Sequence, residues 1–194
     1  LRRIYYADLF GGNFMSKYSL GLDMETENSA SVLLKMVNPN SRVLELGPSH
    51  GRMTQYLKEQ LNCIVDIVEI DENAGLEASK YANISLIGPQ KGDIEGTEWI
   101  EELKQERYDL IIFADVLEHI YNPKKAITRV EKLLKDDGSI LISLPNVAHN
   151  SILINLYSNQ FNYTETGLLD DTHIRFFSLE NLGDIYKEAG FVLV

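Results

Sequence analysis

The stretch VLELGPSHGR, residues 43–52, decides the fold. An apolar run, Val43 to Leu46, is interrupted only by Glu45 and leads into Gly47, with Gly51 following after Pro48, Ser49 and His50. Beyond it Met53, Tyr56, Leu57 and Leu61 recur at helical spacing. Strand, glycine loop, helix: that order predicts a nucleotide-type loop at the carboxyl end of a strand. The loop departs from G-x-G-x-x-G, because Ser49 stands where the middle glycine would be. It is no P-loop either, since no G-K-[ST] follows.

Outward from this loop the same alternation continues. Apolar strands are predicted over 42–46, 63–70, 84–87, 108–114 and 139–144, with a last one from 191. Helices are predicted over 29–37 (stopped by Asn38-Pro39), from 51, over 74–81, 98–106 and 148–160, and from the cap Ser178 to Gly190. Asn122-Pro123 gives an N-cap with proline at the first helical position. That helix presents Ile127, Val130, Leu133 and Leu134 and is predicted to run to Asp137-Gly138. Residues 161–177 read as a polar and aromatic loop. Strands joined by amphipathic helices imply right-handed crossovers, hence an α/β, Rossmann-like doubly wound fold with a mainly parallel sheet. No repeat or linker divides residues 29–194, which are expected to form one domain. Residues 1–28, rich in Tyr and Gly, are expected to be an irregular N-terminal lid. The chain starts without methionine and stops in a strand, so it reads as a piece of a longer one, with its last strands truncated.

Composition narrows the function classes. A formal net charge of −11 argues against nucleic acid, whose phosphates need clustered Lys and Arg. No apolar run is long enough to cross a bilayer, and no signal peptide opens the chain. Cys63 is the one cysteine, so neither a disulfide framework nor a cysteine metal site is available, which fits a reducing, cytoplasmic setting.

In doubly wound sheets the ligand sits at the carboxyl ends of the strands. The predicted strands carry Glu45, then Glu69-Ile70-Asp71, then Asp93, then Asp115 at that edge, with Arg52 the nearby base. A polyphosphate is ill matched to such a rim. A cationic ligand with a ribose and an amino group suits it better. Glu69 lies about 20 residues beyond the loop, where an acid accepts from ribose hydroxyls. Any one of these acids alone reads equally well as a solvated loop residue; the ordered set does not.

The chain resembles the class I S-adenosylmethionine-dependent methyltransferases. The resemblance rests on VLELGPSHGRMTQYL, VEID, GDIEG, YDLIIFADVLEHIYNPKKAITRVEKLLKDDGSILISLPN and AGF, in order, over roughly residues 30 to 194. DVLEHI…NP with GSILISLPN is similar to the ubiquinone-biosynthesis O-methyltransferases. NYTETGLLDDTHIRFFSLENL looks more like a subgroup associated with surface polysaccharides. The resemblance implies the cofactor S-adenosylmethionine, a small-molecule or glycan acceptor, and a fused or associated glycosyltransferase. It implies Glu45, Gly47, Ser49 and Gly51 along the methionine part and Glu69 on the ribose. Ile70, Asp71, Asp93 and Ile94 would line the adenine, and Ala114, Asp115 and Val116 the sulfonium and amino group. Pro48 departs from the family pattern and removes one N–H donor. Tyr5, Tyr6 and Tyr18 are candidates to cover the cofactor, or simply to pack a terminal segment.

An alcohol acceptor needs a base, and histidine is the natural one. Of the four histidines, His173, His119 and His149 are the candidates, with Asp115 beside them. His50 is expected to face solvent or cap the helix. Each candidate also has a plain alternative as a cap or a loop pin. Asp115, Glu118 and His119 could ligate a divalent ion, but their spacing specifies no geometry and no metal is assigned.

Overall fold

The computed structural model describes residues 2–8 and 22–194. Seven parallel strands form one sheet: β1 (Arg2–Asp8), β2 (Arg42–Leu46), β3 (Ile64–Glu69), β4 (Ser85–Ile87), β5 (Tyr108–Ala114), β6 (Leu134–Leu144) and β7 (Phe191–Leu193). Their spatial order is β4-β3-β2-β5-β6-β1-β7. The helices are α1 (Ser29–Lys35), α2 (Arg52–Glu59), α3 (Glu72–Ala78), the single turn α4 (Gly88–Lys91), α5 (Glu98–Leu103), α6 (Pro123–Val130), α7 (Asn150–Tyr157) and α8 (Leu179–Glu188). The chain steps outward from β2 to β4, returns to β5, and proceeds the other way. The reversal therefore falls between the neighbours β2 and β5, which is where ligands bind in such sheets.

Period-two alternation sorts the strands onto two faces. Leu44, Leu46, Ile111, Phe113, Ile140 and Ile142 pack with Trp99, Ile127, Val130 and Leu182 on one side. Val43, Val65, Ile67, Ile112 and Leu141 pack with Leu33, Leu34, Met53 and Leu57 on the other. Both faces being covered explains why the central strands are almost wholly apolar. Among the buried acids of these strands, Asp66 of β3 is fully enclosed. It accepts from the Tyr108 hydroxyl at 2.8 Å, from Asn83 Nδ2 and the Ile84 N–H at 2.9 Å, and from Arg42 at 3.0 Å. Four donors on one carboxylate meet the requirement for burying a charge.

Two expectations are corrected. Residues 2–8 are not an irregular lid but the strand β1, with Ile4 and Ala7 buried on opposite faces. Tyr5 and Tyr6 follow the same alternation, packing against the two cores, so they belong to the sheet and not to a cofactor cover. Flanking Arg2, Arg3 and Asp8 gave the segment its polar look. Tyr18 and the rest of 9–21 lie outside the described residues. The second correction is α6, which stops at Val130. A 3₁₀ turn, Glu131–Leu133, follows, and β6 begins at Leu134. Leu134 pairs with Tyr108 and Ser139 with Leu110, so residues 135–138 bulge out between them. Leu133 and Leu134 are still buried; a helical apolar pattern here continues into a strand.

No helix among the described residues is long and apolar enough to cross a membrane.

Candidate cofactor and acceptor site

The loop after β2 is built by backbone geometry. Gly47, Ser49 and Gly51 all have positive φ, at 69°, 51° and 77°. A Cβ on Gly47 would stand 2.7 Å from Val116 Cγ2, and one on Gly51 2.5 Å from Ala78 Cα. The first glycine lets the loop meet the end of β5; the second lets α2 begin against α3. Glu69, 6% exposed, fixes the loop from the side: its carboxylate accepts from the Ser49 N–H at 2.8 Å and from the Asp71 N–H at 2.9 Å. A carboxylate oxygen has room for a further donor beyond one N–H, so Glu69 keeps acceptor capacity at the rim.

Glu45 has a different setting. It is 2% exposed and its Oε2 accepts from Thr54 Oγ1 of α2 at 2.7 Å. Burial raises its pKa to about 7; the Thr54 hydrogen bond opposes the shift and nearby Glu69 adds to it. Because the folded-state value lies above that of the unfolded chain, the contribution of Glu45 to stability is full in acid. It is lost as pH rises toward 7. Glu45→Gln removes the charged form. The variant should therefore gain on the parent by about 2–3 kcal/mol between pH 5 and pH 8, read by urea unfolding of the ligand-free protein at both pH values. A gap that does not change with pH would refute this.

Along the other strand ends, Asp71 caps α3 by accepting from the Ala74 N–H at 2.9 Å, and Ile70 is 54% exposed. Asp93 makes a turn with the Glu95 N–H at 2.9 Å, with Ile94 buried beside it. After Ala114, Asp115 takes a positive φ of 54° and accepts from Ser143 Oγ at 2.9 Å. Asp115 reaches solvent, yet the surrounding cleft walls push its pKa up, against the Ser143 hydrogen bond and the neighbouring His119. The sheet thus delivers the acids and the glycine loop to one edge, which runs from Asp93 past Asp71, Glu69 and Glu45 to Asp115. Ser49 Oγ lies 3.1 Å from His50 Nδ1, and both residues are exposed.

Past β5 a 3₁₀ turn, Leu117–His119, buries Glu118 to 1% exposure and leaves His119 exposed. The distant segment 170–177 docks on this turn through its backbone. The Ile174 and Arg175 N–H groups donate to the Glu118 carbonyl at 2.9 and 3.0 Å, and Arg175 donates to the Tyr121 carbonyl at 2.7 Å. Asp170 is buried and accepts from the Thr172 N–H at 2.9 Å and the Thr172 hydroxyl at 2.6 Å. That turn brings His173, 8% exposed, edge-on to His119 with ring centroids 4.8 Å apart. His173 Nε2 lies 3.9 Å from Glu118 Oε1. Desolvation drives Glu118 well above the ordinary carboxylate range, and Asp115 and Asp170 add to it.

Of the predicted bases, His119 and His173 therefore come together, from stretches more than fifty residues apart. His149 stands outside that cluster: it is the N-cap of α7, its Nδ1 accepting from the Ser151 N–H at 3.2 Å. Sequence reasoning missed the aromatic wall beside the pair. Phe161, Tyr163 and Phe176 meet with centroids 5.5, 5.8 and 6.4 Å apart, and Phe176 stands 6.5 Å from His173. Phe161 and Tyr163 are 38% and 56% exposed, so the wall is open on one side. Their signal was the run of aromatics, Phe161, Tyr163, Phe176 and Phe177, in an otherwise polar loop.

A family model for a methyltransferase domain matches residues 23–194, and the chain belongs to that family: it is an S-adenosylmethionine-dependent methyltransferase domain. The residues present fit the cofactor, with carboxylates at successive strand ends for a cationic ligand and a loop that approaches closely at Gly47. The chain is similar to a ubiquinone biosynthesis O-methyltransferase of Glaesserella parasuis, 28% identical over 108 residues, which cover 54% of this chain and 45% of that protein. It thus spans less than half of that relative's length. Its fold is that of a methyltransferase from Archaeoglobus fulgidus (TM-score 0.58, 22% identity, 77% of this chain and 60% of that one). It is also that of phosphoethanolamine N-methyltransferase 2 from Haemonchus contortus, solved with S-adenosyl-L-methionine (TM-score 0.57, 18% identity, 84% and 36%).

Proposed function

We propose that the protein methylates a hydroxyl of a ring-shaped small molecule, a sugar of a glycan in the first instance. The observation that carries this reading is the open aromatic wall of Phe161, Tyr163 and Phe176 standing against the His119–His173 pair. An aromatic face would accept the C–H face of a pyranose, and polar residues of the same segment, Thr164, Glu165, Thr166 and Asp171, would meet its hydroxyls. When bound, S-adenosylmethionine supplies a methyl group on a sulfonium. The chain's part is to hold the two ligands in line, which is where most of the rate of such a displacement arises, and to activate the acceptor's hydroxyl at the histidine pair. Glu45, Gly47, Ser49, Gly51, Glu69, Ile70, Asp71, Asp93, Ile94, Ala114, Asp115 and Val116 are the proposed cofactor contacts. The acceptor would come from a glycosyltransferase, fused or associated, in a cytoplasmic setting.

A second reading, a quinone or phenolic acceptor, is favoured by the same wall, which fits a flat ring, and by the named activity of the G. parasuis relative. Calorimetry is expected to show binding of S-adenosylmethionine and its demethylated product and none of NAD; binding of NAD alone would refute the assignment. Turnover on a panel of sugars and phenols then separates the acceptors. Bound cofactor without turnover on either set would point to a domain that binds the cofactor without catalysing transfer.

A further inference from the structure

Glu118 is an anomaly of the acceptor side. Its side chain is 1% exposed, and neither carboxylate oxygen accepts a hydrogen bond from any described residue. A buried carboxylate left so costs several kcal/mol unless something cationic or a proton satisfies it. Two imidazoles converge on it: one ligand-type atom each from Glu118, His119 and His173 lies within 4.8 Å of the other two.

We propose that Glu118, His119 and His173 bind one first-row divalent transition-metal cation, which holds the acceptor's oxygen atoms beside the cofactor edge. The donor set selects the ion. Two imidazoles and one carboxylate suit Mn²⁺, Fe²⁺, Co²⁺ or Zn²⁺, whereas Mg²⁺ and Ca²⁺ prefer all-oxygen sites. Atoms about 2.1 Å from one cation stand roughly 3–3.5 Å apart. Closing the cluster from 4.8 Å on an ion therefore needs a contraction of about 1.5 Å in its longest separation. The exposed position of His119 makes that contraction easy and leaves the remaining coordination sites facing the cleft. A metal-bound histidine commonly donates its other ring N–H to a carbonyl, and His119 Nδ1 stands 3.3 Å from the Thr172 carbonyl. The backbone clasp from residues 174 and 175 holds the turn carrying two ligands against the segment carrying the third. Asp115, grouped with Glu118 and His119 in the sequence, is outside this set, and His173 takes its place. The reaction balance is unaffected: the ion is neither oxidised nor reduced, and the hydroxyl proton leaves to solvent or to an acidic neighbour as the C–O bond forms and the C–S bond breaks.

This proposal deepens the methyltransfer reading and rests on it, and the test separates the two. The whole chain is stripped with chelator, and Co²⁺ and Zn²⁺ are added in turn. The expected result is one equivalent of either ion per chain, with visible Co²⁺ absorption bands. Metal affinity should fall tenfold or more in His119→Asn and in Glu118→Gln, with S-adenosylmethionine affinity changed less than twofold. His119 is exposed, so its variant keeps the test decisive even where Glu118→Gln fails to fold. Absence of stoichiometric binding to folded, cofactor-binding protein overturns the proposal, as does binding that survives His119→Asn. Full-rate methylation by metal-free chain overturns it too, and leaves the methyltransfer reading standing.

Discussion

A His173→Ala protein is expected to bind S-adenosylmethionine as the parent does and to lose turnover by roughly 10²–10⁴-fold, the loss expected when a group that activates the acceptor hydroxyl is removed. The split follows from where His173 sits. It is on the acceptor segment, against Glu118 and His119, while the acids and glycines of the cofactor edge hang from β2, β3 and β5 and the turn after β4. Removing the imidazole leaves those strands and the Ser49–Glu69 hydrogen bond untouched. Calorimetry for the cofactor and a turnover assay on the best acceptor would check both halves. Unchanged turnover would remove His173 from the mechanism. A collapse of cofactor affinity would mean instead that the segment supports the whole cleft.

The second large effect is structural. Gly51→Ala should destabilise the protein by roughly 2–4 kcal/mol, the sum of a left-handed backbone at a residue with a Cβ and of overpacking. At this chain length that is a fall in melting temperature of about 5–15 °C. The new methyl would lie 2.5 Å from Ala78 Cα and 2.7 Å from Ala78 Cβ, atoms fixed to the α3 backbone with no flexible side chain to give way. Ser49→Gly, at a positive φ of 51°, relieves backbone strain and should leave the melting temperature unchanged or raise it. Measuring the two together isolates the role of position 51 from that of φ alone; a harmless Gly51→Ala would show that α2 can shift off α3.

Much of this was legible beforehand, for physical reasons. The strands β2, β3 and β5 are buried on both faces, so their sequences are mostly apolar runs, and the acids at their ends gather at one edge of the sheet. Asn122 and Ser178 each announce a helix because a short polar side chain can accept from a backbone N–H three residues on. The strand β1 was hidden because Arg2, Arg3 and Asp8 flank only a few buried residues, and its partners β6 and β7 are far off in the chain. The bulge in β6 was hidden because a helical spacing of Ile127, Val130, Leu133 and Leu134 is satisfied equally by a helix followed by a turn. The site divides in the same way. Its cofactor half is local to strand ends, whereas its acceptor half depends on residues 170–177 finding the turn after β5. That pairing is made in part by backbone hydrogen bonds to the Glu118 carbonyl, which any residues except proline can form, and the Arg175 and His119 side-chain contacts that join them span more than fifty residues, so no local pattern announces it.

The clasp on the Glu118 carbonyl therefore bears on how such a domain changes its substrate. A segment anchored through main-chain groups tolerates rewriting of its side chains, because the anchor does not notice them. Residues 161–166 could be exchanged for another loop of equal length, with the histidines and the cofactor edge kept in register. With the acceptor bound as proposed, the fold would carry a socket for acceptor loops, and selectivity could drift without the chemistry having to be invented again.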